Sequence, residues 1–127
     1  WGDLDYLFID MPPGTGDAYL TVASEIKPNN VLLVTSQSKL AVQDTIKSKA
    51  MFDKLKIPMI GLVDNMSYSI YPNSDEKFFE FPSINLESEI GLKVLGSIPR
   101  TKDLANFNPN KLSTFFEPLY NELIKVT

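Results

Sequence analysis

The residues best suited to chemistry lie near the start of the chain, in Asp10-Met11-Pro12-Pro13-Gly14-Thr15-Gly16-Asp17, directly after the apolar run Tyr6-Leu7-Phe8-Ile9. A carboxylate at the end of a buried strand is held rigidly at one edge of a sheet. There it can hold Mg²⁺ through water, opposite nucleotide phosphates. Gly14 and Gly16 let backbone N–H groups come close to a phosphate, and Pro12-Pro13 stiffens the approach. A strand-terminal aspartate taken alone is more often a turn cap, because Asp readily bonds its own backbone.

Composition narrows the alternatives. The 127 residues contain no cysteine and no histidine. Disulfides, thiolate nucleophiles, cysteine-held metals and the commonest general base are therefore excluded within them. Chemistry here rests on carboxylates, hydroxyls, lysines, backbone amides or a bound cofactor. With 43% hydrophobic and 22% charged residues and a net charge of −4, the chain reads as one globular domain. The acidic balance speaks against a dedicated nucleic-acid surface, and the longest apolar runs are too short for a membrane span. No signal peptide is visible.

The elements that would position Asp10 follow from periodicity. Residues 4–10 read as a buried strand and 11–17 as a loop. A helix is expected over 18–26, a strand over 31–35, a helix over 40–55 and a strand over 59–63. Residues 67–84 read as a long irregular excursion. A short helix at 86–90, a strand at 93–97, a loop opening at Pro99 and a helix over 112–126 complete the chain. This alternation gives a parallel sheet covered by helices, with ligands at the carboxyl ends of the strands, after Asp10, Thr35, Asp64 and Ile98. Phe78-Phe79-Glu80-Phe81 reads as packing for the excursion, with partner docking as the sharper alternative. Lys47, Lys49, Lys54 and Lys56 read as a solvated helix face.

Asp10 to Asp17 closely resembles the D-x-P-P-G-T-G-D segment of the Mrp/ApbC ATPases, MinD-like proteins that carry iron–sulfur clusters. The resemblance continues through Gln37, Leu40-Ala41-Val42, Met51-Phe52, Ile57-Pro58, Gly61-Leu62-Val63, Asn65-Met66-Ser67-Tyr68 and Leu95-Gly96-Ser97-Ile98-Pro99. It covers roughly residues 1–100 in order. It implies an α/β, three-layer P-loop NTPase fold (SIMIBI/MinD-like) with a predominantly parallel sheet, residues 1–127 forming the C-terminal part of a single domain. It also implies ATP and Mg²⁺ as cofactors, a cytoplasmic homodimer, and iron–sulfur assembly or recipient proteins as partners. Asp10 is then similar to the Walker B-type aspartate that positions Mg²⁺ through water, and Gly14 to the switch II glycine whose backbone senses the γ-phosphate. Thr15 and Asp17 would be supporting polar groups. Asn65 is similar to the adenine-binding residue; its amide can donate to N7 and accept from the N6 amine, where an Asx-turn is the plain alternative. Pro99 and Arg100 resemble the segment that wraps the adenine face through backbone contacts, where the Arg100 side chain either stacks or is solvated, solvation being the favoured reading.

The chain departs from that family in two places. The Gly- and Lys-rich phosphate-binding loop, about a hundred residues upstream in the family, is not among these residues, so ATP hydrolysis by them alone is not expected. The phosphate-loop strand is interior in this architecture, beside residues 5–10, and its lack should leave unpaired edges and exposed apolar faces. Second, where many members have Cys-Pro-x-Cys, this chain has Tyr71-Pro72-Asn73-Ser74, and neither Tyr71 nor Ser74 replaces a thiolate. Two rival functions stay open: a ParA/MinD-like positioning ATPase, disfavoured by a terminal helix with few cations, and a non-catalytic interaction module.

Overall fold

Val31, Leu32, Leu33, Val34 and Thr35 form a run of β-branched and apolar residues with no turn former, and they make the first strand, β1 (Val31–Thr35). The computed structural model describes residues 2–12, 14, 16–71, 74 and 76–127. Three expectations, on Pro13, Thr15 and Pro72, lie outside the described residues. Before β1 comes helix α1 (Asp17–Ile26), and after it α2 (Lys39–Leu55). A long strand, β2 (Met59–Ile70), follows, then β3 (Lys77–Phe78), α3 (Leu86–Ile90), β4 (Val94–Arg100), α4 (Lys102–Ala105) and α5 (Pro109–Val126).

Strand β2 is central. It pairs in parallel with β1 on one side, Leu33 opposite Leu62 and Thr35 opposite Asp64. On the other side it pairs in parallel with β4, Asp64 opposite Ser97 and Asn65 opposite Ile98. Its far end turns back antiparallel onto β3, Ser69 opposite Phe78. The Leu95 side chain of β4 lies over Gly61 of β2, where a Cβ would come within 2.5 Å of Leu95 Cγ. Alternation along the strands then sorts the two faces. Leu33 and Leu62 pack with Tyr19, Ala23, Val42, Phe52, Leu86 and Ile90 under α1, α2 and α3. Val63, Leu95 and Ile98 pack with Leu119 of α5. The result is the helix–sheet–helix arrangement expected, with a mixed rather than purely parallel sheet.

Several expectations need correction. Residues 4–10 form no strand; Phe8 is 81% exposed, and Leu4, Tyr6, Leu7 and Ile9 are also exposed. Their apolar pattern is that of a buried strand, but among the described residues no strand lies beside them to complete a ladder. Strand β1 likewise has β2 as its one described partner along its length, and Val34, on the face of α5, is 58% exposed. The excursion is shorter and more ordered than expected, since β2 continues to Ile70. Its buried Ser67 and Ser69 are satisfied there, Ser67 Oγ donating to the Ile98 carbonyl (3.3 Å) and Ser69 Oγ to Glu80 Oε1 (3.0 Å). Pro99 does not open a loop, because β4 runs to Arg100; with β2 as its one described neighbour, β4 tolerates a residue without an N–H. Helix α5 begins at Pro109, a favoured first helical residue, behind an Asn108 side chain that accepts from the Asn110 N–H. Of the four lysines, Lys47, Lys54 and Lys56 are exposed, Lys47 pairing with Asp44 at 3.0 Å, whereas Lys49 is half-buried and pairs with Asp53 at 2.9 Å.

Candidate functional site at the carboxyl ends of the strands

Asp10 stands at the end of the unpaired segment, exposed, and its carboxylate has no hydrogen-bond or ion-pair partner among the described residues. Four residues on, Gly14 has φ +87° with nothing within 4 Å of where a Cβ would sit. That left-handed conformation suits glycine. Gly16 then serves as the N-cap of α1, and Asp17 places a carboxylate in its first turn. An exposed carboxylate, unpartnered among the described residues and followed four residues on by a left-handed glycine, is chemically suited to a water-mediated Mg²⁺ opposite phosphate.

Asn65 lies in β2, on the face that carries Val63, one residue past Asp64. Its side chain makes no hydrogen bond among the described residues, so no Asx-turn occupies the amide. The next residue, Met66, has φ +52°. Pro99 is buried in β4. Arg100 is exposed, and its Nη1 lies 3.2 Å and 3.1 Å from the two oxygens of Glu80. Glu80 thereby joins the end of β4 to Ser69 of β2. No hydrogen bond or ion pair connects Asp10, Asn65 and Arg100 to one another among the described residues.

Periodicity did not reveal the polar pair on the opposite face. Asp64 is 6% exposed; its Oδ2 accepts from Gln37 Nε2 at 2.7 Å, while its Oδ1 is buried without a partner. Gln37 Oε1 in turn accepts from the Ile84 N–H at 2.8 Å. The available signal was an aspartate closing the apolar run at 59–63, where a strand interior rarely carries charge. Burial raises the Asp64 pKa, and the Gln37 hydrogen bond offsets part of that rise. A carboxyl whose folded pKa exceeds its unfolded one stabilises fully below the unfolded value, about 3.9, and loses that contribution as pH rises through the folded value. At neutral pH Asp64 is therefore a cost. Asp64→Asn keeps an acceptor for Gln37 and is expected to raise the melting temperature by roughly 2–4 °C at pH 7, the gain disappearing near pH 3.5 in parallel melts.

The excursion packs on itself through aromatic contacts, Tyr71 with Phe78 (ring centroids 4.6 Å apart) and Tyr68 with Phe79 (6.3 Å), with Lys77 Nζ 4.4 Å from the Tyr68 ring centre. Phe79 and Phe81 remain exposed. Tyr71 and Ser74, in the positions compared above with cysteines, are joined by a backbone hydrogen bond from Ser74 N–H to the Tyr71 carbonyl (3.2 Å). Their hydroxyls do not fit an iron–sulfur cluster, and the described residues hold no group of three or more acidic, His or Cys side chains placed for a metal. Among the described residues, no helix is long and apolar enough to cross a membrane.

Known proteins share this chain's sequence and fold. An iron–sulfur cluster carrier protein of Aquifex aeolicus is 37% identical over 108 residues, 83% of this chain and 30% of that protein. The Arabidopsis thaliana protein named iron–sulfur protein required for NADH dehydrogenase, mitochondrial, is 39% identical over 102 residues, 78% of this chain and 33% of its own length. The chain thus spans about a third of the curated relatives it matches. A solved nucleotide-binding protein from Archaeoglobus fulgidus, in complex with ADP, superposes with a TM-score of 0.72 at 37% identity, covering 84% of this chain and 45% of that one. The cell division ATPase MinD of Pyrococcus furiosus gives 0.74 at 22% identity, covering 97% and 53%, a likeness of fold. A family model described as the NUBPL iron-transfer P-loop NTPase matches residues 1–121, and the chain belongs to that family.

Proposed function

We propose that this chain supplies the magnesium- and base-binding half of an ATP site in an iron–sulfur cluster carrier. Asp10 positions Mg²⁺ through water, the Gly14 amide senses the γ-phosphate, and Asn65 reads adenine, with Pro99 and Arg100 bordering the base. A phosphate-binding loop on a strand outside these residues completes the site; the open flank of β1, exposed Val34 and the unpaired run at 4–10 support a strand and helix docking there. The cluster is cargo, and its thiolates come from outside these 127 residues. A homodimer in the cytoplasm, delivering to iron–sulfur recipient proteins, is the setting this reading implies.

The observation that carries the reading is the Asp10–Asp17 string, which opens on a carboxylate unpartnered among the described residues and holds a left-handed glycine at Gly14. Its test is calorimetric titration of Mg²⁺–ATP into the polypeptide as purified from its own cells. Binding is expected there, and not in residues 1–127 alone. Asn65→Ala should weaken ATP against GTP by about 1–3 kcal/mol, the worth of a bidentate contact to adenine. No binding by the native polypeptide would leave the non-catalytic interaction module as the better reading.

A further inference from the structure

The segment between β3 and α3 is held to the sheet by two polar anchors, and both reach residues next to the proposed base site. The first is Glu80, which accepts from Ser69 Oγ and pairs with Arg100. The second is Gln37. Its amide has one self-consistent orientation. The Ile84 N–H must donate, so Oε1 faces Ile84, and Nε2 is left to donate to Asp64. These bonds join positions 47 and 27 residues apart in sequence. Asp64 and Asn65 are consecutive in β2, their side chains on opposite faces of the sheet. A displacement of the backbone at Asn65 therefore moves Asp64, and through Gln37 the amide of Ile84. Between the anchors lie exposed Phe81 and Pro82, which with Leu40 border a cleft of about 260 Å³.

We propose that Gln37 is a positioning residue that couples occupancy of the base site at Asn65 to the placement of residues 76–85. The proposal rests on the ATP-site reading above and adds a regulated element to it. Asp64 Oδ1, buried and unpartnered, leaves Gln37 as the one described side chain that bonds the carboxylate. The link is therefore narrow enough to be cut by one substitution. By linkage, whatever holds residues 76–85 in place must in turn alter nucleotide affinity.

The test is amide hydrogen exchange on the native polypeptide, with and without a saturating non-hydrolysable ATP analogue and Mg²⁺. Without nucleotide, Gln37→Leu should speed exchange at Ile84 roughly five- to tenfold, the effect of losing one hydrogen bond. In the wild type, nucleotide should change protection across residues 76–85, and Gln37→Leu should abolish that change. Gln37→Glu sets two carboxylates against each other and should also abolish it. Combining Gln37→Glu with Asp64→Asn exchanges the amide and carboxylate between the two positions. The amide on β2 then donates to the carboxylate at the head of α2, and the nucleotide response should return. A purely structural role predicts that protection at Ile84 falls in Gln37→Leu and recovers in the double variant while nucleotide changes protection in none of the variants, wild type included. An unchanged Ile84 rate in Gln37→Leu, a nucleotide response that persists there, a wild type whose segment ignores bound nucleotide, or failure of the double variant to recover would overturn the coupling. Failure of the ATP reading shows separately, as absent calorimetric binding, while the nucleotide-free Ile84 rates still report on the tether.

Discussion

Phe52→Ala is expected to destabilise the chain by about 3–5 kcal/mol, the largest stability loss among single side-chain truncations in it. Phe52 is 1% exposed and lies where α1, α2 and the sheet meet, its ring 5.7 Å from that of Tyr19 and tilted by 55°. Around it Ala23, Leu33, Val42, Leu62, Leu86 and Ile90 close the same core. Truncation removes the transfer free energy of a phenyl ring and leaves a cavity. Neighbours drawn from two helices, a short third helix and two strands cannot all collapse into it. Domains of this size are stable by only about 5–15 kcal/mol, so the loss is a large share of the total. Urea denaturation should show a midpoint lower by about 2 M with little change in slope. Phe8→Ala offers the contrast, because an 81% exposed ring should give a change within about 0.5 kcal/mol in residues 1–127.

Phe8 and Phe52 look alike as letters in apolar segments, and their difference marks what the sequence made legible. Helix α2 was plain because its apolar residues recur at helical spacing over several turns. The strands at 31–35 and 59–63 were plain because they are short unbroken apolar runs between turn formers. Residues 4–10 have the same pattern, yet a strand exists through its partner, and periodicity carries no information about whether that partner is present. The second half of β2 was missed for a different reason. Ser67 and Ser69 are buried because hydrogen bonds to Ile98 and Glu80 satisfy them, and a hydrophobic pattern registers only apolar burial. Glu80 and Gln37 were opaque likewise, since each acts on groups distant in sequence. At the candidate site, the string at 10–17 and Asn65 came from motif and resemblance. Geometry adds that the side chains of Asp10 and Asn65 make no competing hydrogen bond or ion pair among the described residues, and that Gly14 is left-handed.

That freedom makes Asp10 the sharpest test of activity. In the native polypeptide, Asp10→Ala is expected to lower ATP hydrolysis per folded molecule by roughly 10- to 100-fold, the usual effect of removing a group that orients metal-bound water. The Mg²⁺ concentration giving half-maximal rate should rise with it. The competing account is a turn cap, and it makes different predictions. Loss of a cap costs about 1 kcal/mol of stability and leaves the rate per folded molecule intact. Asp10→Asn separates the two, because asparagine caps as well as aspartate but carries no charge for the metal. If Asp10 serves Mg²⁺, Asn must fail nearly as badly as Ala, with a melting temperature close to wild type. If it serves the turn, Asn must restore both rate and stability. Asn65→Ala supplies the internal comparison, since losing the base contact should weaken ATP binding and blunt its preference over GTP without moving the Mg²⁺ dependence. A variant series in which Asp10 alters the metal requirement and Asn65 the base preference would assign the two ends of one nucleotide to the two ends of this chain's site.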